Sequence, residues 1–153
     1  MVEKRIYVVV ADTVSIPLPT VTATPPNDQF PRVGDYWKVI KQPLGRQIAQ
    51  AAHVTSKVRF AMEHGPGRKS KEFKAITTIV LAARDSHELA HLYKLLEAEE
   101  IPFEEFQDDN SEAYGPNVKI RTAIATHPVE PVDVQGILDY LPLWGSGRHI
   151  KIQ

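Results

Sequence analysis

The chain has 153 residues, with 42% hydrophobic and 24% charged residues and a formal net charge of −1 at neutral pH. That length suits one domain, the composition excludes a disordered tail or a membrane-embedded chain, and the absence of cysteine excludes disulfides, thiol catalysis and cysteine-bound zinc. The apolar runs fall well short of the roughly 20 residues that cross a bilayer, and Met1-Val2-Glu3-Lys4-Arg5 leads into a strand-like run with no apolar leader, which predicts a cytosolic protein without a membrane partner.

Arg5 to Asp12 is β-branched and almost continuously apolar, the pattern of a central strand covered on both faces. Between Thr13 and Pro43 six prolines (Pro17, Pro19, Pro25, Pro26, Pro31, Pro43) rule out a regular helix and a central strand, so 13–43 reads as a long inserted loop. Such a loop would cover a site or mediate a homodimer, with Tyr36, Trp37 and Val39 available to an interface. Leu44 to His64 reads as a helix ended by Gly65-Pro66-Gly67. Ile48, Ala52, Thr55, Val58 and Met62 recur at its period as the buried face, and Arg46, Gln50, His53 and Lys57 align on the opposite one.

Ala75 to Ala82 is a second buried strand, followed by a helix capped by Asp85 or Ser86 and running to about Glu100. Leu89, Leu92, Tyr93 and Leu96 form its apolar side, and Glu88 stands where it completes a capping box with Asp85. Beyond Pro102, Phe103–Gln107 predicts a short strand and Lys119–Thr126 a more clearly alternating one. A final helix after Pro131 turns Val134, Ile137, Leu138 and Leu141 inward until Pro142, and a tail begins at about Gly145. This order predicts an α/β domain over 1–153: one mixed four-stranded sheet with helices on both faces, in three layers.

Charge is unevenly distributed. From Lys41 to Lys74 eight cations face two acids, and from Asp85 to Glu112 ten acids face one lysine. The first stretch could meet phosphate, with Lys57, Arg59, Arg68, Lys69, Lys71 and Lys74 as a track for a nucleic-acid backbone; two solvated faces that neutralise one another are the plainer alternative.

Two short patterns bear on chemistry. His87-Glu88-Leu89-Ala90-His91 matches the zinc-hydrolase signature, in which two histidines bind metal and the glutamate activates water. Its side chains share the arc opposite Leu89, Leu92 and Leu96, facing solvent, and nothing downstream completes an extended signature; Glu104, Glu105 and His127 are merely available. The alternative is an exposed helix start where acidic residues favour the dipole. The second pattern is Gly45-Arg46-Gln47-Ile48-Ala49-Gln50-Ala51-Ala52-His53, preceded by a strand ending in Asp12.

This second run resembles the helix signature of the type II (archaeal and eukaryotic type) peptidyl-tRNA hydrolases, Gly-Lys-x-x-Ala-Gln-x-x-His. The resemblance extends over residues 4–12 and 44–141 and includes the loop and last strand from Phe106 to Pro128, but neither the Pro-rich insertion nor the tail. It implies hydrolysis of the ester between peptide and tRNA without a cofactor, with tRNA as the partner and Arg46, Gln50 and His53 in the positions of the family lysine, glutamine and histidine. The family's loop aspartate corresponds best to Asp109, with Asp108 as the alternative because this loop is one residue longer. The accompanying threonine has no counterpart; Ala113 or Tyr114 stands in its neighbourhood. Arg46 keeps a cation for phosphate or a developing oxyanion but cannot serve as a general base near neutral pH. Asp109 or His53 would then orient or deprotonate the water, and Asp12 would orient Arg46. A relative that binds tRNA or a protein partner without cleaving anything fits the same residues.

Overall fold

The computed structural model describes residues 3–17, 37–65 and 76–146. Five strands form one mixed sheet: β1 (Arg5–Pro17), β2 (Trp37–Lys41), β3 (Thr77–Asp85), β4 (Phe103–Asp108) and β5 (Ile120–Thr126). The helices are α1 (Leu44–His64), α2 (Ser86–Ala98) and the short α3 (Ser111–Tyr114), and a 3-10 turn spans Pro131–Val134. No described helix is long and apolar enough to cross a membrane.

β1 is the central strand because its alternating residues serve two cores. Ile6, Val8 and Val10 pack with Val54 and Val58 of α1 and with Ala123 and Ala125 of β5. Tyr7, Val9 and Ala11 pack with Leu89, Leu92 and Leu96 of α2 on the other face. Period-2 alternation in the strand and helical spacing in α1 and α2 thus produce the expected three layers.

The fifth strand lies where the proline content predicted loop. β1 continues through Pro17, and β2 pairs with it antiparallel from Thr13↔Lys41 to Pro17↔Trp37. Val14 and Ile16 point into a small third core with Tyr114 and Ile120, and that burial drives the extension. Of the predicted insertion 13–43, residues 18–36, including Tyr36, lie outside the described residues; Val39 is exposed.

α1 has the expected limits but a different buried face. Gln47, Gln50, Val54 and Val58 are buried, whereas Ile48 is 56% exposed and Ala52 is exposed. Its first two turns are held inward by amide hydrogen bonds, described below, and apolar periodicity cannot register these. α2 starts as expected at Asp85, whose carboxylate accepts from the Glu88 N–H at 2.8 Å. The capping box is only half formed, because the Glu88 side chain accepts from the Arg84 N–H instead.

The final helix is replaced by the 3-10 turn and a chain of turns, since Gln135 is extended and Gly136 adopts φ +82°. Val134, Ile137, Leu138 and Leu141 are nonetheless buried, so the inward stripe survives without the helix. Residues 142–144 then lie along the free edge of β3 through an antiparallel bridge between Leu81 and Leu143.

Candidate active site

The site forms where β1 changes partner. Val8 to Val10 pair with β5, and from Thr13 onward the same edge pairs with β2, so Ala11 and Asp12 sit in a gap between the two ladders. An unpaired buried carbonyl is costly. Gln42 fills the gap: its Nε2 donates to the Ala11 carbonyl at 2.6 Å, and its backbone N–H donates to the Asp12 carbonyl at 3.0 Å.

Gln42 is the centre of a buried amide network. Gln47 Nε2 donates to the Gln42 carbonyl at 2.8 Å and to Asp12 Oδ1 at 3.3 Å. Gln50 Nε2 donates to Gln42 Oε1 at 2.7 Å and to Asp108 Oδ2 at 3.1 Å. All three glutamines are almost fully buried, and such burial of amides is sustained only by partners of this kind. Within this network Gln50 Oε1 is buried without a hydrogen-bond partner among the described residues.

Asp108 closes the network on the β4 side. Its Oδ2 also accepts from the Tyr114 hydroxyl at 3.0 Å, and its Oδ1 accepts from the Asn110 N–H at 3.2 Å. Burial, and the hydrogen bond and charge of Asp108, push the Tyr114 phenol up to about 12, with the neighbouring Arg46 guanidinium opposing them in part. Arg46, Tyr114, Asp108 and Gln50 therefore form one contiguous polar cluster at the first turns of α1.

The residues singled out from sequence divide around this cluster. Arg46 and Gln50 belong to it, and of the aspartate pair it is Asp108 that enters while Asp109 is exposed. His53 lies two turns along α1, stacked on Phe106 of β4 with ring centroids 4.9 Å apart. Asp12 accepts from Lys41 Nζ and Gln47 Nε2. Lys57 donates to the Glu105 carbonyl, and Arg59 lies 3.8 Å from Glu63. The predicted stripe of Arg46, Gln50, His53 and Lys57 thus faces β4 and the loop after it. Arg68, Lys69, Lys71 and Lys74 lie outside the described residues. His87 and His91 are exposed on α2, Glu88 is engaged with Arg84, and no third side chain joins them among the described residues.

Gln42 and Trp144, whose indole N–H donates to Gln47 Oε1 at 2.8 Å, had no motif; Gln47 stood inside the helix pattern without a role, and Tyr114 only as one of two residues near the missing threonine. Two signals were present: glutamines at 42, 47 and 50 near the start of one helix, and a tyrosine in the loop after a paired aspartate.

Chemically, the cluster offers a carboxylate, a buried free acceptor and a neighbouring cation, the kinds of group needed to hold a water and balance a developing oxyanion. A family model described as peptidyl-tRNA hydrolase PTH2 matches residues 38–144, more than half of the chain, and its span takes in α1, Asp108 and Tyr114. No curated protein matches the sequence closely enough to be counted a relative.

Proposed function

This chain belongs to the peptidyl-tRNA hydrolase PTH2 family, and from that membership we propose that it cleaves the ester joining peptide to tRNA at the Arg46–Tyr114–Asp108–Gln50 cluster. The observation that carries the assignment of the site is the Asp108 carboxylate, clasped by Gln50 and Tyr114 beside a guanidinium inside the matched span.

The reaction needs a water directed at the ester carbonyl carbon, a donor for the oxyanion of the tetrahedral intermediate, and a proton for the departing ribose oxygen. Asp108 holds and deprotonates the water, and the free Gln50 Oε1 accepts its second hydrogen. Arg46 faces the oxyanion, a role that a permanently charged guanidinium performs without changing protonation. His53, on the exposed flank of α1, supplies the proton to the leaving oxygen. Asp12 acts through Lys41 and Gln47 to hold the entrance to α1.

For the tRNA itself, Pro43 precedes α1 without providing a side-chain cap and the first turn holds no acidic residue, so its positive end is open to phosphate. Lys57, Arg59, Arg68, Lys69, Lys71 and Lys74 continue that positive character along the chain. No cofactor enters this scheme.

The test is single-turnover hydrolysis of a labelled N-blocked aminoacyl-tRNA, with and without a metal chelator. Chelator-resistant cleavage is expected. Binding without cleavage would make the chain a silent relative, and cleavage abolished by chelator and by His87→Ala would return the reaction to the His87 and His91 pair.

A further inference from the structure

We propose that Tyr114 is a positioning residue: its hydroxyl, set between the Asp108 carboxylate and Arg46, fixes the direction in which that carboxylate meets the attacking water. The inference rests on the ester-cleaving role above and adds a residue to it.

The geometry starts in the loop after β4. The Asn110 side chain accepts from the Glu112 N–H at 3.1 Å, and the Asn110 carbonyl accepts from the Tyr114 N–H at 2.9 Å. These bonds wind 111–114 into the single turn of α3 and bring the Tyr114 ring back over Asp108. The ring is 5% exposed and packs with Val14, Ile16 and Ile120. With the ring seated in that apolar core, the position of its hydroxyl follows from the backbone, because tyrosine has only two side-chain torsions.

Asp108 receives its three donors from three separate segments: Gln50 from α1, the Asn110 N–H from the loop, and Tyr114 from α3. Two donors on Oδ2 and one on Oδ1 leave the carboxylate plane no freedom to rotate. A phenylalanine would fill the same apolar slot without burying a hydroxyl, so packing alone gives no reason for the phenol; its hydrogen bond to Asp108 does. Raised to about 12, the phenol remains a protonated donor throughout the neutral range.

Tyr114→Phe keeps the ring and removes only the hydroxyl. With the N-blocked aminoacyl-tRNA as substrate, kcat is expected to fall about 10- to 100-fold with KM within about twofold, as for a misdirected rather than a missing carboxylate. The melting temperature should stay within about 3 °C of wild type. The double variant Tyr114→Phe/Asp108→Asn should be no slower than Asp108→Asn alone, because both act on one group. An independent reading compares the phenol absorbance titrations of wild type and Asp108→Asn: the phenol that titrates at about 12 in wild type should move down toward the ordinary 10 in Asp108→Asn.

Wild-type hydrolysis matched by Tyr114→Phe overturns the positioning role alone, as does an additive double variant. A phenol titration indifferent to Asp108→Asn overturns the hydrogen bond on which the role depends, even if Tyr114→Phe folds poorly. Wild-type protein that leaves the ester intact overturns the ester-cleaving role and this one together.

Discussion

The Trp144 indole donates to the side-chain carbonyl of Gln47 at 2.8 Å, joining two residues 97 positions apart in the sequence. Gln47 in turn holds both the Gln42 carbonyl and Asp12, so a residue near the C-terminal end of the described chain braces the gap in β1 from the far side of α1.

Trp144→Phe should therefore cost more than the loss of one exposed ring. It removes the donor to a buried oxygen, about 1–3 kcal/mol when that oxygen is left unpaired. It also enlarges a cavity of about 200 Å³ lined by Val10, Gln47, Ile48, Ala51, Val80 and Trp144 itself. Urea denaturation should give a lower midpoint with an unchanged slope, and ester cleavage should weaken without being abolished.

The two neighbouring aspartates should separate cleanly. Asp108→Asn removes the carboxylate proposed as proton acceptor and is expected to lower kcat by about 10²–10⁴-fold, the usual worth of a positioned general base. Asp109 is exposed, and Asp109→Asn should stay within about twofold of wild type. Steady-state hydrolysis of the two variants beside each other checks this, and the reverse ranking would move the catalytic carboxylate to Asp109.

Gly45 gives a test of where substrate approaches. A Cβ built at this residue meets nothing within 4 Å, so packing does not require glycine there. Gly45→Ala should raise stability by about 0.5–1 kcal/mol through helix propensity. If tRNA or its ester lies against the first turn of α1, the same change should raise KM. A stabilised variant with unchanged KM would direct the substrate elsewhere.

The raised Tyr114 phenol has a consequence for alkaline stability. An acid whose folded value lies above its unfolded one favours the folded state while protonated. That contribution is complete below pH 10 and is lost as pH rises from about 10 to about 12. Wild type should lose stability across that window more steeply than Tyr114→Phe in denaturant titrations at stepped pH.

Affinity for tRNA should fall steeply with salt if the cations beyond α1 meet phosphates. Replacing Lys69 and Lys71 with alanine should weaken binding and reduce the slope of log K against log salt by about 0.7–0.9 for each phosphate no longer neutralised. A slope unchanged by these replacements would leave Lys57, Arg59 and the open end of α1 as the groups that meet the tRNA backbone.

Much of the framework was legible because punctuation and hydrophobic pattern agreed. Pro43 and Gly65 bracket α1, Asp85 announces α2, and Pro102 separates α2 from β4. The site was legible only at its charged members. Arg46, Gln50 and the aspartate pair stood out through a motif, but Gln50 was expected on an exposed stripe and is 2% exposed. Apolar periodicity reports burial driven by transfer from water, whereas Gln42, Gln47 and Gln50 are buried by hydrogen bonds that exist only once β1 has changed partners. The strand arms at 13–17 and 37–41 were hidden by Pro17 and Pro43, although Val14, Ile16, Val39 and Ile40 carry strand-forming side chains. Pro17 is tolerated because it ends its strand.

The short pairing of 142–144 with β3 matters for how the molecule behaves among its own copies. The Ala82 N–H donates to the Pro142 carbonyl and the Trp144 N–H to the Val80 carbonyl, each at 2.9 Å, so the outer rim of β3 is covered at Val80–Ala82. A fully formed strand edge left bare would template intermolecular ladders. A few residues after the last turn thus act as a built-in guard against aggregation, and truncation before Pro142 would remove that guard together with the brace on Gln47.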